Sequence, residues 1–283
     1  MNTIYDLLGL LPFDCLEPHF MRQALLGLLL LTPMTAMLGI HVLNFRMAFF
    51  SDAVGHSAFA GLAIGLILGA PPQMAVLVFG VLVGLFIMAV QRKSGLSADA
   101  SIGIVFSAVV AFGLAVVSRA PGLGREIQQY LYGDILTVTQ EEICILALLL
   151  GCLCLFEFFG WNKMLSLALS PALARVEGMA TGFWQYLFAA ILALTVMFCV
   201  RTVGVLLVTA MLIVPAAAGR NLAANMAGVF WWAIVVAMTS GAAGLLLSAQ
   251  EWLGTASGAT VILIACLWFG SSVVFAHWRR TRR

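Results

Sequence analysis

Nine apolar stretches, at roughly 22–41, 48–69, 73–91, 100–118, 139–159, 183–200, 203–219, 226–248 and 258–277, take up most of this 283-residue chain. Each is close to the length of about 17–25 residues that a helix needs to cross a hydrocarbon layer. Only 9% of the residues are charged and 63% are apolar, where soluble domains carry about 25% charged residues. A water-soluble fold would have to hide nearly all of these runs behind very little polar surface. The chain therefore reads as an all-α, polytopic integral membrane protein with about 8–9 transmembrane helices. It forms one membrane domain over 1–283, with 1–21 as an interfacial lead-in and no soluble domain. No short fixed-period repeat is present.

The weakest boundary is "RTVG", Arg201 to Gly204. One continuous helix over 183–219 would be about 55 Å long at about 1.5 Å per residue, far more than a bilayer, so the chain breaks there. The basic residues set a sidedness. Arg46, Arg92, Lys93, Lys163, Arg175, Arg220, Arg279, Arg280, Arg282 and Arg283 fall on one side and Arg22, Arg119, Arg125 and Arg201 on the other. Ten against four places the amino terminus outside and the carboxyl terminus in the cytoplasm. The tail "HWRRTRR" reads as a cytoplasmic stop, and the scattered charge gives no nucleic-acid patch. The opening residues have no basic region or small-residue cleavage site and are not expected to be a removable signal. Cys15, Cys144, Cys152, Cys154, Cys199 and Cys266 form no C-x-x-C pair and read as small hydrophobes.

Two connections carry plain punctuation. In the outer one, Thr139 followed by Glu142 is a capping box that starts the fifth span. The inner one, 160–182, contains a short helix: Ser170 caps it, Pro171 suits its first turn and Gly178 suits the position after its end. Small residues in the second span, Ser51, Gly55, Ala58, Gly61 and Gly65, read first as close helix packing.

The same span contains "FFSDAVGHSAFAG", which puts Asp52 and His56 one helical turn apart on one face. An ionisable group near hydrocarbon costs about 2.5–3.5 kcal/mol and is usually found facing a partner or a wet cavity. A carboxylate and an imidazole at this spacing can clasp zinc, manganese or ferrous iron. They can equally hydrogen-bond to each other and lock the helix, and the spacing leaves both readings open. The other polar groups carry weaker expectations. His41 and Asn44 face water or headgroups at the end of the first span, and Glu157 reaches the interface. Asp134 caps or turns the outer loop. Glu251 is a solvated loop acid, with cation guidance as its alternative role. Pro215 bends the seventh span, as packing or as part of a gate.

No H-E-x-x-H, G-x-S-x-G or G-x-x-x-x-G-K-[ST] motif occurs, and the two lysines, Lys93 and Lys163, lie outside glycine-rich loops. ATP hydrolysis, where transport needs it, belongs to a separate chain, and an embedded metalloenzyme lacks a full ligand set.

"RMAFFSDAVGHSAFAGLAIG", "YLYGDILTVTQEE", "LSLALSPALARVEGM", "VGVLLVTAMLIVPAAAGR" and "SGATVIL" together resemble the family-3 permeases of bacterial ABC importers for zinc, manganese and iron. The similarity is greatest to the zinc-uptake branch, and the fold is related to that of vitamin B12 and siderophore importer permeases. The resemblance implies a homodimer in the bacterial cytoplasmic (inner) membrane, an ABC ATPase subunit and an extracytoplasmic metal-binding protein. It implies no tightly bound cofactor, only the transported metal. It places a transient metal site on Asp52 and His56. The ATPase-coupling helix falls on Pro171, Ala172, Leu173, Ala174, Arg175, Val176, Glu177 and Gly178. The chain departs from the family's pattern at Ser51, usually glycine, and in "EWLGTA", which lacks an aspartate and a proline and leaves a gate role for Glu251 open. An ion-coupled secondary transporter, with Asp52 carrying a proton or sodium, is the alternative of another class.

Overall fold

The computed structural model of the chain describes residues 14–118, 133–250 and 254–281. Among them are ten α-helices and no strand. The helices are α1 (His19–Asn44), α2 (Phe50–Ile67), α3 (Pro72–Ser94), α4 (Ala98–Val117), α5 (Gln140–Leu169), α6 (Pro171–Val176), α7 (Thr181–Val203), α8 (Val205–Leu222), α9 (Met226–Ser248) and α10 (Ser257–Thr281). All but α6 are long and apolar enough to cross a membrane, nine spans among the described residues.

Local chemistry sets most of the helix ends. Thr139 and Glu142 form the expected reciprocal box. The Thr139 N–H donates to Glu142 Oε2 at 2.9 Å and the Glu142 N–H donates to Thr139 Oγ1 at 3.3 Å. Asp134 caps a 3-10 turn, Ile135–Thr137, by accepting from the Leu136 N–H at 3.0 Å. Ser170 accepts from the Leu173 N–H at 3.3 Å, and Pro171 opens α6. At the far end of α6 the Met179 N–H reaches the Ala174 carbonyl and the Gly178 N–H reaches that of Arg175, a Schellman closure with Gly178 at φ 80°. The same pair of bonds closes α1, from Met47 to Val42 and from Arg46 to Leu43, but there the left-handed position is held by Arg46 at φ 56°.

One boundary differs from the sequence expectation. The fifth span continues as helix ten residues beyond 159, to Leu169, so that α5 has 30 residues and the connection to α7 contracts to α6 and its flanks. Nothing in "GWNKMLSLAL" breaks a helix; the break comes at Ser170, which the following proline pushes into an extended conformation (φ −157°, ψ 106°). The break at "RTVG" falls on Gly204, whose φ of 87° and ψ of 158° lie in a region open to glycine alone. Pro215 lies inside α8, which stays helical across it.

The chain divides into two compact units. The first takes 1–40, 134–154 and 210–283, and the second takes 41–133 and 155–209. In the first unit α9 packs along α10, and Asn221 donates to Ser272 Oγ at 3.0 Å. In the second, α2 lies against α3, α4 and α7, while α3 also packs on α4 and α7. The small residues of α2 are buried, as their spacing suggests: Ser51, Gly55, Ala58, Gly61 and Gly65 all face neighbouring helices. Large apolar side chains such as Leu148, Phe158 and Leu267 point outward, and so do Cys144, Cys152, Cys154 and Cys266, and none of the six cysteines is in a disulfide. These outward surfaces suit acyl chains.

The second unit also contains a buried polar contact that corrects two expectations. His41 is fully buried and Glu157 is 6% exposed; neither reaches water or headgroups. His41 Nε2 lies 3.0 Å from Glu157 Oε2, and the imidazole meets Trp161 and Phe188 edge-on at centroid distances of 5.3 and 5.9 Å. His41 Nδ1 and Glu157 Oε1 are buried with no partner among the described residues. Removing one member of such a pair leaves an uncompensated polar group in an apolar shell, whereas replacing both with apolar residues removes the difficulty. His41→Phe or Glu157→Leu alone should therefore destabilise the protein by about 3–5 kcal/mol. The double variant should recover most of that loss, as read by thermal unfolding in detergent. Single variants as stable as the parent would contradict the pairing.

Candidate functional site

Asp52 stands in the first turn of α2, at its third residue, where the free backbone N–H groups and the helix dipole favour a negative charge. No side chain caps this terminus, since the preceding residue is Phe49. The carboxylate instead finds a partner 157 positions away: Thr209 Oγ1 donates to Asp52 Oδ1 at 2.9 Å. The same hydroxyl lies 3.0 Å from the Val205 carbonyl, one turn earlier in α8.

That contact depends on two glycines. Gly204 ends α7 and lets α8 start immediately with Val205. Gly55, between Asp52 and His56, gives that junction room. A Cβ there would stand 3.1 Å from Val205 Cγ1 and 3.4 Å from Val200 Cγ2, tighter than ordinary packing. The missing side chain thus allows the first turn of α8 to sit close enough for Thr209 to reach the acid.

His56 sits one turn beyond Asp52. Its ring stacks on Phe59 at 5.8 Å with an interplanar angle of 22°, and meets Phe106 of α4 edge-on at 5.6 Å. Both Asp52 and His56 are partly accessible, neither sealed in the core nor fully turned outward. Among the described residues no hydrogen bond or ion pair joins them. The locking alternative is therefore not the arrangement adopted, and Asp52 Oδ2 and the His56 ring nitrogens stay clear of each other's demands. No group of three or more His, Cys, Asp and Glu side chains that could hold a metal occurs among the described residues. The two side chains could offer a passing cation one oxygen and one nitrogen donor, not a closed cage.

The remaining candidates separate from this pair. Glu251 lies outside the described residues. Pro215 is buried within α8. His41 and Glu157 bond each other beside aromatic rings and lie apart from the open surface. Helix α6 packs on α7, buries Ala174 and exposes Leu173 and Val176, at 65% and 86%. Arg175 Nε donates to the Pro171 carbonyl at 3.2 Å and Ser166 Oγ to Glu177 Oε2 at 3.5 Å, so the polar residues of this helix brace it locally. The residue that sequence reasoning missed is Thr209. Its only signal was a hydroxyl in an apolar helix, one turn after a glycine break, and such hydroxyls commonly bond their own preceding turn.

Comparison with known proteins agrees with this architecture. The model of the ABC 3 transport family matches residues 17–276. The high-affinity zinc uptake system membrane protein ZnuB of Haemophilus influenzae is 30% identical over 257 residues, covering 91% of this chain and 96% of that protein. The manganese transport system membrane protein MntC of Halalkalibacterium halodurans is 28% identical, with 95% of each covered. The structure of PsaBC from Streptococcus pneumoniae in complex with Fab superposes with a TM-score of 0.75 at 25% identity, over 96% of this chain and 95% of that one. The family match spans eight of the nine membrane helices in full and nearly all of the ninth, and the chain belongs to the ABC 3 transport family as a multi-span membrane permease.

Proposed function

We propose that this chain is the membrane permease of an ATP-driven importer of divalent transition-metal ions, with zinc as the first candidate cargo. The observation that carries the reading is the Asp52–His56 pair. A carboxylate and an imidazole stand one turn apart on a packed helix, partly accessible and not spent on each other. Two donors bind a cation weakly enough to release it, which suits transit better than a four-ligand site. Similarity to ZnuB supports zinc, and similarity to MntC keeps manganese as the second cargo.

The chain contains no phosphate-binding loop of its own. In this reading an ABC ATPase docks on α6 through Leu173 and Val176, a second copy of the permease completes the pathway, and an extracytoplasmic binding protein delivers the ion. The amino terminus lies outside and the carboxyl terminus in the bacterial cytoplasm, following the balance of basic residues.

Two measurements test this. Asp52→Ala and His56→Ala should each lower uptake of radioactive zinc by about tenfold or more, as loss of metal-site interactions does, while the ATPase still co-purifies. Normal accumulation in the double variant would remove the site. Leu173→Glu with Val176→Glu should act on the other half. Each buried apolar contact is worth about 1.5–3 kcal/mol, so ATPase co-purification should fall by at least about tenfold. Undiminished co-purification would place the docking elsewhere.

A further inference from the structure

We propose that Thr209 is a specificity-determining residue, a positioning residue that makes Asp52 a one-oxygen ligand and so favours zinc over manganese. The inference rests on the reading of Asp52 and His56 as a metal stop and adds how that stop discriminates.

Thr209 Oγ1 lies 3.0 Å from the Val205 carbonyl and 2.9 Å from Asp52 Oδ1. A β-branched side chain has few rotamers in a helix, and the one adopted sets Oγ1 between the Val205 carbonyl and Asp52 Oδ1, two acceptors that share its single proton. The hydroxyl is therefore held at a set place against Asp52. With Oδ1 accepting from Thr209, Oδ2 is the carboxylate oxygen left without a hydrogen-bond partner among the described residues, and in the proposed stop it serves the cation together with a ring nitrogen of His56.

One oxygen and one nitrogen form a small donor set. Zinc accepts such a set readily, because four ligands complete its tetrahedral shell and imidazole is among its preferred donors. Manganese favours oxygen donors in a six-coordinate shell. A carboxylate free to chelate with both oxygens serves that shell better. Removing the Thr209 hydroxyl releases Oδ1, lets the carboxylate turn, and shifts the site toward the oxygen-loving ion. Partners that orient a metal ligand in this way typically change affinity by about 10–100-fold when lost.

The packing makes the contact a property of the fold. Gly55 admits Val205, Gly204 starts α8 at that residue, and Thr209 follows one turn later. Replacing Thr209 with valine keeps the volume and branching and removes the hydroxyl alone.

The experiment reconstitutes the full permease in liposomes with its ATPase and binding protein and measures uptake of radioactive zinc and manganese in competition. Thr209→Val should raise the manganese-to-zinc uptake ratio by about tenfold or more, and Thr209→Ser should restore the parental ratio. Thr209→Ala serves as the second hydroxyl-free variant. An unchanged ratio in a folded Val or Ala variant overturns the assignment, even where both rates fall together, since equal loss marks a packing role. Failure of both hydroxyl-free variants to fold overturns it as well. Asp52→Asn separates this from the underlying reading. If that variant moves both metals at the parental rate, the metal stop itself is wrong. If it loses transport while Thr209→Val keeps the parental ratio, only the role of Thr209 falls.

Discussion

A backbone in hydrocarbon has no water to bond, so every N–H and C=O must find a partner within the protein, and each unmet group costs several kcal/mol. The nine membrane-length helices meet that demand along their lengths, and their ends are closed by side chains and short-range turns. The consequences reach the functional region. Between α7 and α8 the chain leaves one helix and enters the next without a loop at Gly204, whose backbone angles glycine alone tolerates. Its position sets where Thr209 lies.

The same shortage of water sorts the ionisable side chains. His41 and Glu157 bond each other inside a shell of Trp161 and Phe188, and both are nearly or fully buried. Asp52 and His56 follow the opposite course. They keep partial access and take neutral neighbours, a hydroxyl in one case and aromatic rings in the other. A sealed pair is a structural contact, since nothing can reach it without breaking the packing. An open pair with unspent donors is the one suited to the proposed transit of a cation.

Legibility in the sequence followed distance along the chain. The capping box of Thr139 and Glu142, the cap at Ser170 and the left-handed end at Gly178 all involve residues within a few positions of each other, and all were readable. The end of α5 lies ten residues beyond the apolar stretch that closes at 159, because an apolar run marks what suits lipid and the helix continues until a residue breaks it. Taken alone, each of His41 and Glu157 is a polar residue near the end of an apolar run, so His41 reads as facing water or headgroups and Glu157 as reaching the interface. Their 116-residue separation hid the partnership.

The sequence by itself determined the class of solvent, the spans and their punctuation, and the helical turn that joins Asp52 to His56, because hydropathy, periodicity and caps act over a few residues. The tertiary structure decided what those two side chains touch. A spacing of four brings them to one face, but whether they bond each other, a neighbour or nothing depends on which helices arrive beside α2. That is settled by Gly55 admitting Val205 and by Gly204 starting α8 one turn before Thr209. Contacts between residues 157 positions apart leave no periodic trace in the chain, because they are chosen by the packing of whole helices and not by local geometry.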